Sequence, residues 1–125
     1  MTFVKELEQI NHKGKVIKVF ELLHQSGARL VFSNYGCVLM KLIVKDKQNG
    51  WRDVVLGFDT IEEYFGDEYL KGYPYFGAVI GRYVNRIKGA SFNLDGRHIQ
   101  LADNKNGITL HGGFEGFDKK VWDVI

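Results

Sequence analysis

ASFNLDGRHIQL, residues 90–101, carries the reading on which the fold depends. Its middle pair, Asp95-Gly96, suits a two-residue type I′ turn, because both central positions of that turn need positive φ and Asp and Gly accept it at low steric cost. With these two residues as the turn, the register can be written down. Phe92 faces Ile99 and Ala90 faces Leu101 on one side, while Ser91, Asn93, His98 and Gln100 share the other. An antiparallel hairpin with one dry and one wet face follows. Phe92, Ile99 and Leu101 are expected to be buried and Asn93, His98 and Gln100 more exposed, which makes His98 a solvated strand histidine rather than a catalytic one.

The same strand pattern recurs on either side. VIKVFELLH from Val16, ARLVFS from Ala28 and CVLMKLIV from Cys37 are short, rich in branched and aromatic residues, and separated by Gly or Asn. Between the last of these and WRDVVLGF, a two-residue turn at Asn49-Gly50 would set Asp46 against Asp53 and Lys47 against Arg52. Like charges directly opposite are unfavourable, so a longer loop is expected. YFGAVIG from Tyr75 reads as a buried strand, and the closing KKVWDVI has strand composition. One stretch looks helical: in DTIEEYFGDEYL, Thr60 with Glu63 makes a capping box and Gly66 suits the end of a short helix. Short strands, frequent glycine turns and a single proline, Pro74, give an all-β chain, an antiparallel sandwich or barrel with one short helix.

The chain has 125 residues, enough for one domain, with 45% apolar and 26% charged residues, which sets disordered and fibrous classes aside. Seventeen basic against fifteen acidic residues leave a net charge of +2, too small for the positive field of a nucleic-acid binder. Cys37, the single cysteine, cannot form an internal disulfide and is expected to be a small buried hydrophobe. The N-terminal MTFVKELEQINHKGK has no apolar h-region, and no apolar run reaches the ~18 residues of a membrane span. A cytoplasmic, reduced setting is the expectation.

Two places could hold chemistry. RYVNRIKG, after the apolar YFGAVIG, gathers Arg82, Asn85, Arg86 and Lys88; these either line a cleft or make surface ion pairs worth ~0–1 kcal/mol each. His111, followed by Gly112 and Gly113, either points to water from a turn or brings an imidazole to a place where the backbone can approach closely. The residues alone leave both alternatives open. His12, His24 and His98 have no ligand spacing with His111 or Cys37, so no metal site is expected. No phosphate-cradling glycine motif or nucleophile elbow is present. The aromatics Tyr64, Phe65, Tyr69, Tyr73, Tyr75 and Phe76 are read mostly as core, with one or two available to face a cleft as a stacking platform.

YFGAVIGRYVNRIKGASFNLDG followed by LADNKNGITLHGGFEGFDKKVWDV resembles the aldose 1-epimerases, the galactose mutarotases, and the earlier DVVLGFDTIEEY looks like that family's N-terminal region. The pattern departs at Val84, where alanine is more usual. The resemblance implies a galactose mutarotase-like antiparallel β-sandwich whose cleft binds a hexose, and it puts Asn85, Arg86 and His111 on sugar-contacting positions, with the glycines leaving room for the pyranose. The implied reaction interconverts the α and β anomers of hexoses such as galactose and glucose without metal, nucleotide or other cofactor. A base takes the anomeric hydroxyl proton, an acid protonates the ring oxygen, and the opened chain recloses on the other face.

By the same resemblance, the acid histidine and base glutamate lie well downstream of the HGG segment in chains two to three times longer. Residues 1–125 are therefore expected to be the N-terminal portion of a single mutarotase-like domain, carrying no catalytic residue of their own and inactive alone. The alternative is a non-catalytic carbohydrate-binding or interaction module on the same fold. The expected partners are a hexose and neither nucleic acid nor membrane. An edge left open at the KKVWDVI strand would favour self-association or pairing with a downstream fragment.

Overall fold

The computed structural model describes residues 2–125. They form two compact units, one of residues up to Ala78 together with Val121–Ile125, the other of Val79–Lys120. The sheets are antiparallel and none closes into a barrel. Among the described residues no helix is long and apolar enough to cross a membrane.

The first unit is built on a five-stranded meander, β1 (Thr2–His12), β2 (Lys15–His24), β3 (Arg29–Ser33), β4 (Leu39–Lys45) and β5 (Trp51–Asp53), in sequence order. The three apolar runs became β2, β3 and β4, as their composition predicts. β1 was not legible, because nearly all of its side chains are exposed and leave no apolar alternation to detect. Its charges are used across the ladder instead, with Lys18 Nζ 2.8 Å from the Glu6 carboxylate. A bulge between Glu6 and Glu8 interrupts this edge strand, a common device against edge-to-edge pairing.

Alternation along β2 sends Ile17 and Val19 to the core, where they join Val31, Met40, Ile61, Tyr64 and Tyr69. The aromatic group is core first: Phe58 makes edge contacts with Tyr64 at 5.2 Å and Tyr69 at 5.3 Å, and Tyr69 with Tyr73 at 5.0 Å. The helical stretch needs correction. Glu62–Phe65 is a 3₁₀ helix that does end at Gly66, but a separate α-helix, α1, follows at Asp67–Gly72, so Gly66 closes one short helix and caps the start of a second. Thr60 and Glu63 do meet, but both the Thr60 N–H and its hydroxyl go to the Glu63 carboxylate at 3.1 Å, so only half of the capping box forms.

Two further segments depart from their composition. Tyr75 and Gly77 have φ of 59° and 60°, which breaks YFGAVIG into a turn with no strand. In KKVWDVI, Val121 makes one isolated bridge to Tyr35, and Trp122 N–H reaches the Asn34 carbonyl at 2.8 Å. Local propensity favoured strands in both; the neighbours available to pair with decided otherwise. Cys37 sits before β4 at φ 47°, half-buried, where burial pushes its thiol pKa up.

The longer loop between β4 and β5 is present, with Lys45 opposite Trp51. Asp46 organises it: its carboxylate accepts the N–H groups of Gly50 and Gln48, both at 2.8 Å, and the Arg52 Nε–H at 3.1 Å. Gly50, then Arg52, then Gln48 hold the Asp46 carboxyl below its ordinary value. A depressed carboxylate lends stability that is present above its unfolded value, about 3.9, and is lost as pH falls through the folded one. Carbon-detected titration should show Asp46 protonating below the ordinary aspartate value, with the 46–50 amides shifting in step; a midpoint at the ordinary value would remove Asp46 as the loop's organiser.

In the second unit, β6 (Arg86–Lys88) pairs with β9 (Ile108–Leu110), and β7 (Ser91–Leu94) with β8 (Arg97–Gln100). The hairpin has the register written from its turn, Phe92 opposite Ile99 and Asn93 opposite His98, with Asp95 at φ 49° and Gly96 at 73°. Asn93, His98 and Gln100 are exposed and Phe92, Ile99 and Leu101 half-buried, so the sense of the two faces is as expected although the dry face is only partly covered.

Candidate functional site

Arg86 opens β6 and Leu110 closes β9, and the two are register partners. One step further the strands leave the sheet, because Asn85 and His111 both have positive φ, 62° and 51°. The ladder continues by half. His111 N–H donates to the Asn85 carbonyl at 3.0 Å, but the Asn85 N–H goes to the imidazole Nδ1 of His111 at 3.1 Å. The ring thus occupies the place of the strand carbonyl that would complete the pair.

That substitution defines the histidine's chemistry. A nitrogen that accepts a backbone N–H carries no proton, so in the neutral ring the proton is on Nε2, a hydrogen-bond donor. Arg86 joins the group through its Nη1–H, which donates to Asn85 Oδ1 at 2.9 Å. Asn85 and Arg86 are exposed and His111 is half-buried. The structure therefore brings together the three residues singled out from the sequence. Of their neighbours, Arg82 lies 5.4 Å over the Phe117 ring, and Lys88 is exposed at the far end of β6.

Gly112, directly after His111, serves a close approach to this chain's own backbone. Leu110 to Gly113 is a tight turn closed by Gly113 N–H on the Leu110 carbonyl at 3.0 Å, with Gly112 at φ 90° and Gly113 at 83°. A Cβ on Gly112 would collide with the carbonyl oxygen of Gly81. The Gly81 carbonyl is in turn held by Phe117 N–H at 3.0 Å.

Asn104 is a residue that sequence reading passed over. Its side chain accepts Leu110 N–H at 2.7 Å and donates to the Leu110 carbonyl at 3.0 Å. In DNKNG an asparagine looks like a turn former, and nothing local reveals a partner six residues on. The other histidines have separate surroundings: His12 lies against Phe65, ring centres 4.0 Å apart, and His24 Nδ1 meets Ser26 Oγ at 2.8 Å. Among the described residues no group of three or more His, Cys, Asp or Glu could hold a metal ion.

The aldose 1-epimerase family model matches residues 18–125. Galactose mutarotase of Bos taurus is 46% identical over 100 residues, 80% of this chain and 28% of that protein. The human galactose mutarotase is 44% identical over 109 residues, 87% of this chain and 30% of its own length. Two solved structures share the fold: galactose 1-epimerase of Lactobacillus acidophilus, TM-score 0.74 at 24% identity over 98% of this chain and 33% of that one, and the GalM/aldose epimerase homologue of C. elegans, TM-score 0.70 at 34% identity over 81% and 30%. The chain belongs to the aldose 1-epimerase family, and its fold is the mutarotase-like antiparallel β fold that the resemblance implied. It spans about 30% of the length of the curated relatives it matches.

Proposed function

We propose that these residues supply the sugar-orienting part of an aldose 1-epimerase that interconverts the anomers of hexoses such as galactose and glucose. Asn85, Arg86 and His111 meet the sugar hydroxyls and ring oxygen, and the proton-transferring acid and base act from outside residues 1–125. The bond from Asn85 N–H to His111 Nδ1 carries this reading. With Nδ1 engaged, that nitrogen is not available as a base, and a neutral Nε2–H donates a hydrogen bond but gives up its proton poorly. His111 is therefore suited to hold a sugar oxygen rather than to move a proton. The Arg86 guanidinium, bonded to the Asn85 side chain, adds positive charge to the group, suited to the charge that develops on the ring oxygen as the ring opens.

Polarimetry of freshly dissolved galactose with the 125-residue chain alone should give the spontaneous rate, since acid and base groups typically each supply ~10²–10⁴ in rate. In a polypeptide that also carries the acid and base, Arg86→Ala or His111→Ala should cost about 2–4 kcal/mol of transition-state stabilisation. Substantial activity from the chain alone would overturn this division of labour. Hexose binding that shifts the Asn85 and His111 resonances, with no turnover in any longer polypeptide, would favour the carbohydrate-binding module.

A further inference from the structure

We propose that Asn104 is a positioning residue for His111. Its side-chain amide takes the place of a neighbouring strand on the outer side of β9, fixing the Leu110 backbone and, through it, the direction and tautomer of the imidazole.

The argument starts from ladder geometry. In an antiparallel pair, residues alternate between exchanging backbone bonds and turning both backbone groups away from the partner. His111 bonds back to Asn85, so the preceding pair, Leu110 with Arg86, is of the second kind, and the Leu110 N–H and carbonyl face away from β6. Leu110 is only 9% exposed, so water is a poor substitute partner for these groups. A primary amide has the donor and acceptor of a peptide, and Asn104 uses both, accepting at 2.7 Å and donating at 3.0 Å. The donor and acceptor of Leu110 also fix which way the amide is turned.

Asn104 is itself held from both sides. The Asp103 carboxylate accepts Gly107 N–H, with its oxygens at 2.9 and 2.8 Å, and closes the loop. On the other side the hydroxyl of Thr109, 2% exposed, donates to the Ala102 carbonyl at 2.8 Å. The clamp continues into the site, because the Leu110 carbonyl that receives the Asn104 amide also receives Gly113 N–H at 3.0 Å. Asn104 and the His111 turn thus share one anchoring oxygen. Freed of the amide, Leu110 can rotate about its backbone, and a small rotation there displaces the ring from the Asn85 N–H.

This inference rests on the sugar-orienting reading of His111 only for its consequence; the positioning is measurable without sugar. In chain labelled with ¹⁵N, long-range proton–nitrogen spectra distinguish the two ring nitrogens, and hydrogen exchange reports the Asn85 amide. The unmodified chain should show His111 with its proton on Nε2 and a protected Asn85 amide. In Asn104→Ala the expected result is a mixture of tautomers and exchange at Asn85 faster by roughly tenfold or more, while the Phe92–Ile99 hairpin amides keep their protection. If Asn104→Ala does not fold, Asn104→Ser, whose hydroxyl can serve only one of the two Leu110 groups, is read in the same way. A folded variant with the Nε2–H tautomer and Asn85 protection unchanged would overturn the proposal. Hexose titration separates the two readings: an Nε2–H tautomer that depends on Asn104, with no response of His111 to sugar, would sink the functional reading and leave the positioning role standing.

Discussion

Gly112→Ala should lower stability by on the order of 4 kcal/mol, near the upper end for a single substitution, whereas Gly96→Ala should cost only about 1 kcal/mol. Both glycines have positive φ, 90° and 73°, so both changes carry the conformational cost of an L side chain there. They differ in space. Nothing lies within 4 Å of a Cβ on Gly96, while one on Gly112 would run into the Gly81 carbonyl and come within 3.1 Å of the Arg82 nitrogen. Backbone cannot swing aside as a side-chain tip can. Relief would have to come from the turn that carries His111, so the variant should also lose the bond from Asn85 N–H to the ring. Urea unfolding of the two variants gives the comparison, and equal losses would mean that the close approach contributes nothing.

Tyr64→Ala should cost about 3–5 kcal/mol, the range for deleting a buried aromatic. The ring is 1% exposed and packs edge-on against Phe58 at 5.2 Å and Tyr69 at 5.7 Å. Its hydroxyl accepts Phe58 N–H at 3.0 Å, so truncation also strands a backbone donor. Tyr64→Phe separates the two effects and should cost about 1–2 kcal/mol, the penalty of the unpaired N–H with the packing retained. Burial, the largest influence on this phenol, raises its pKa, so ultraviolet titration should find it ionising above the ordinary tyrosine value. A Tyr64→Ala loss below about 1 kcal/mol would show that the core of the first unit does not centre on this ring.

The Asn85, Arg86 and His111 group shows how a candidate site can be named from residue order before its geometry is understood. The family-like order of RYVNRIKG and LHGG pointed to the three residues. It did not reveal that the His111 ring replaces a ladder carbonyl, or that Gly112 is small because of Gly81. Nor did it reveal Asn104, whose side chain bonds both backbone groups of Leu110 on the edge of β9 that faces away from β6. Each depends on a partner whose distance along the chain no local pattern encodes.

The same division runs through the fold. Asp95-Gly96 sets its hairpin register without help, because two positive-φ positions and a period of two leave no freedom once the turn is placed. The apolar alternation of VIKVFELLH and its neighbours likewise names β2, β3 and β4, since burying one face of a strand is a local pattern with a global consequence. β1, YFGAVIG and KKVWDVI were settled by pairing. The charged Thr2–His12 segment is a strand because β2 offers it an edge, and the apolar YFGAVIG is not one because Tyr75 and Gly77 turn it away. A strand is half of a hydrogen-bonded pair, and only the folded chain supplies the other half.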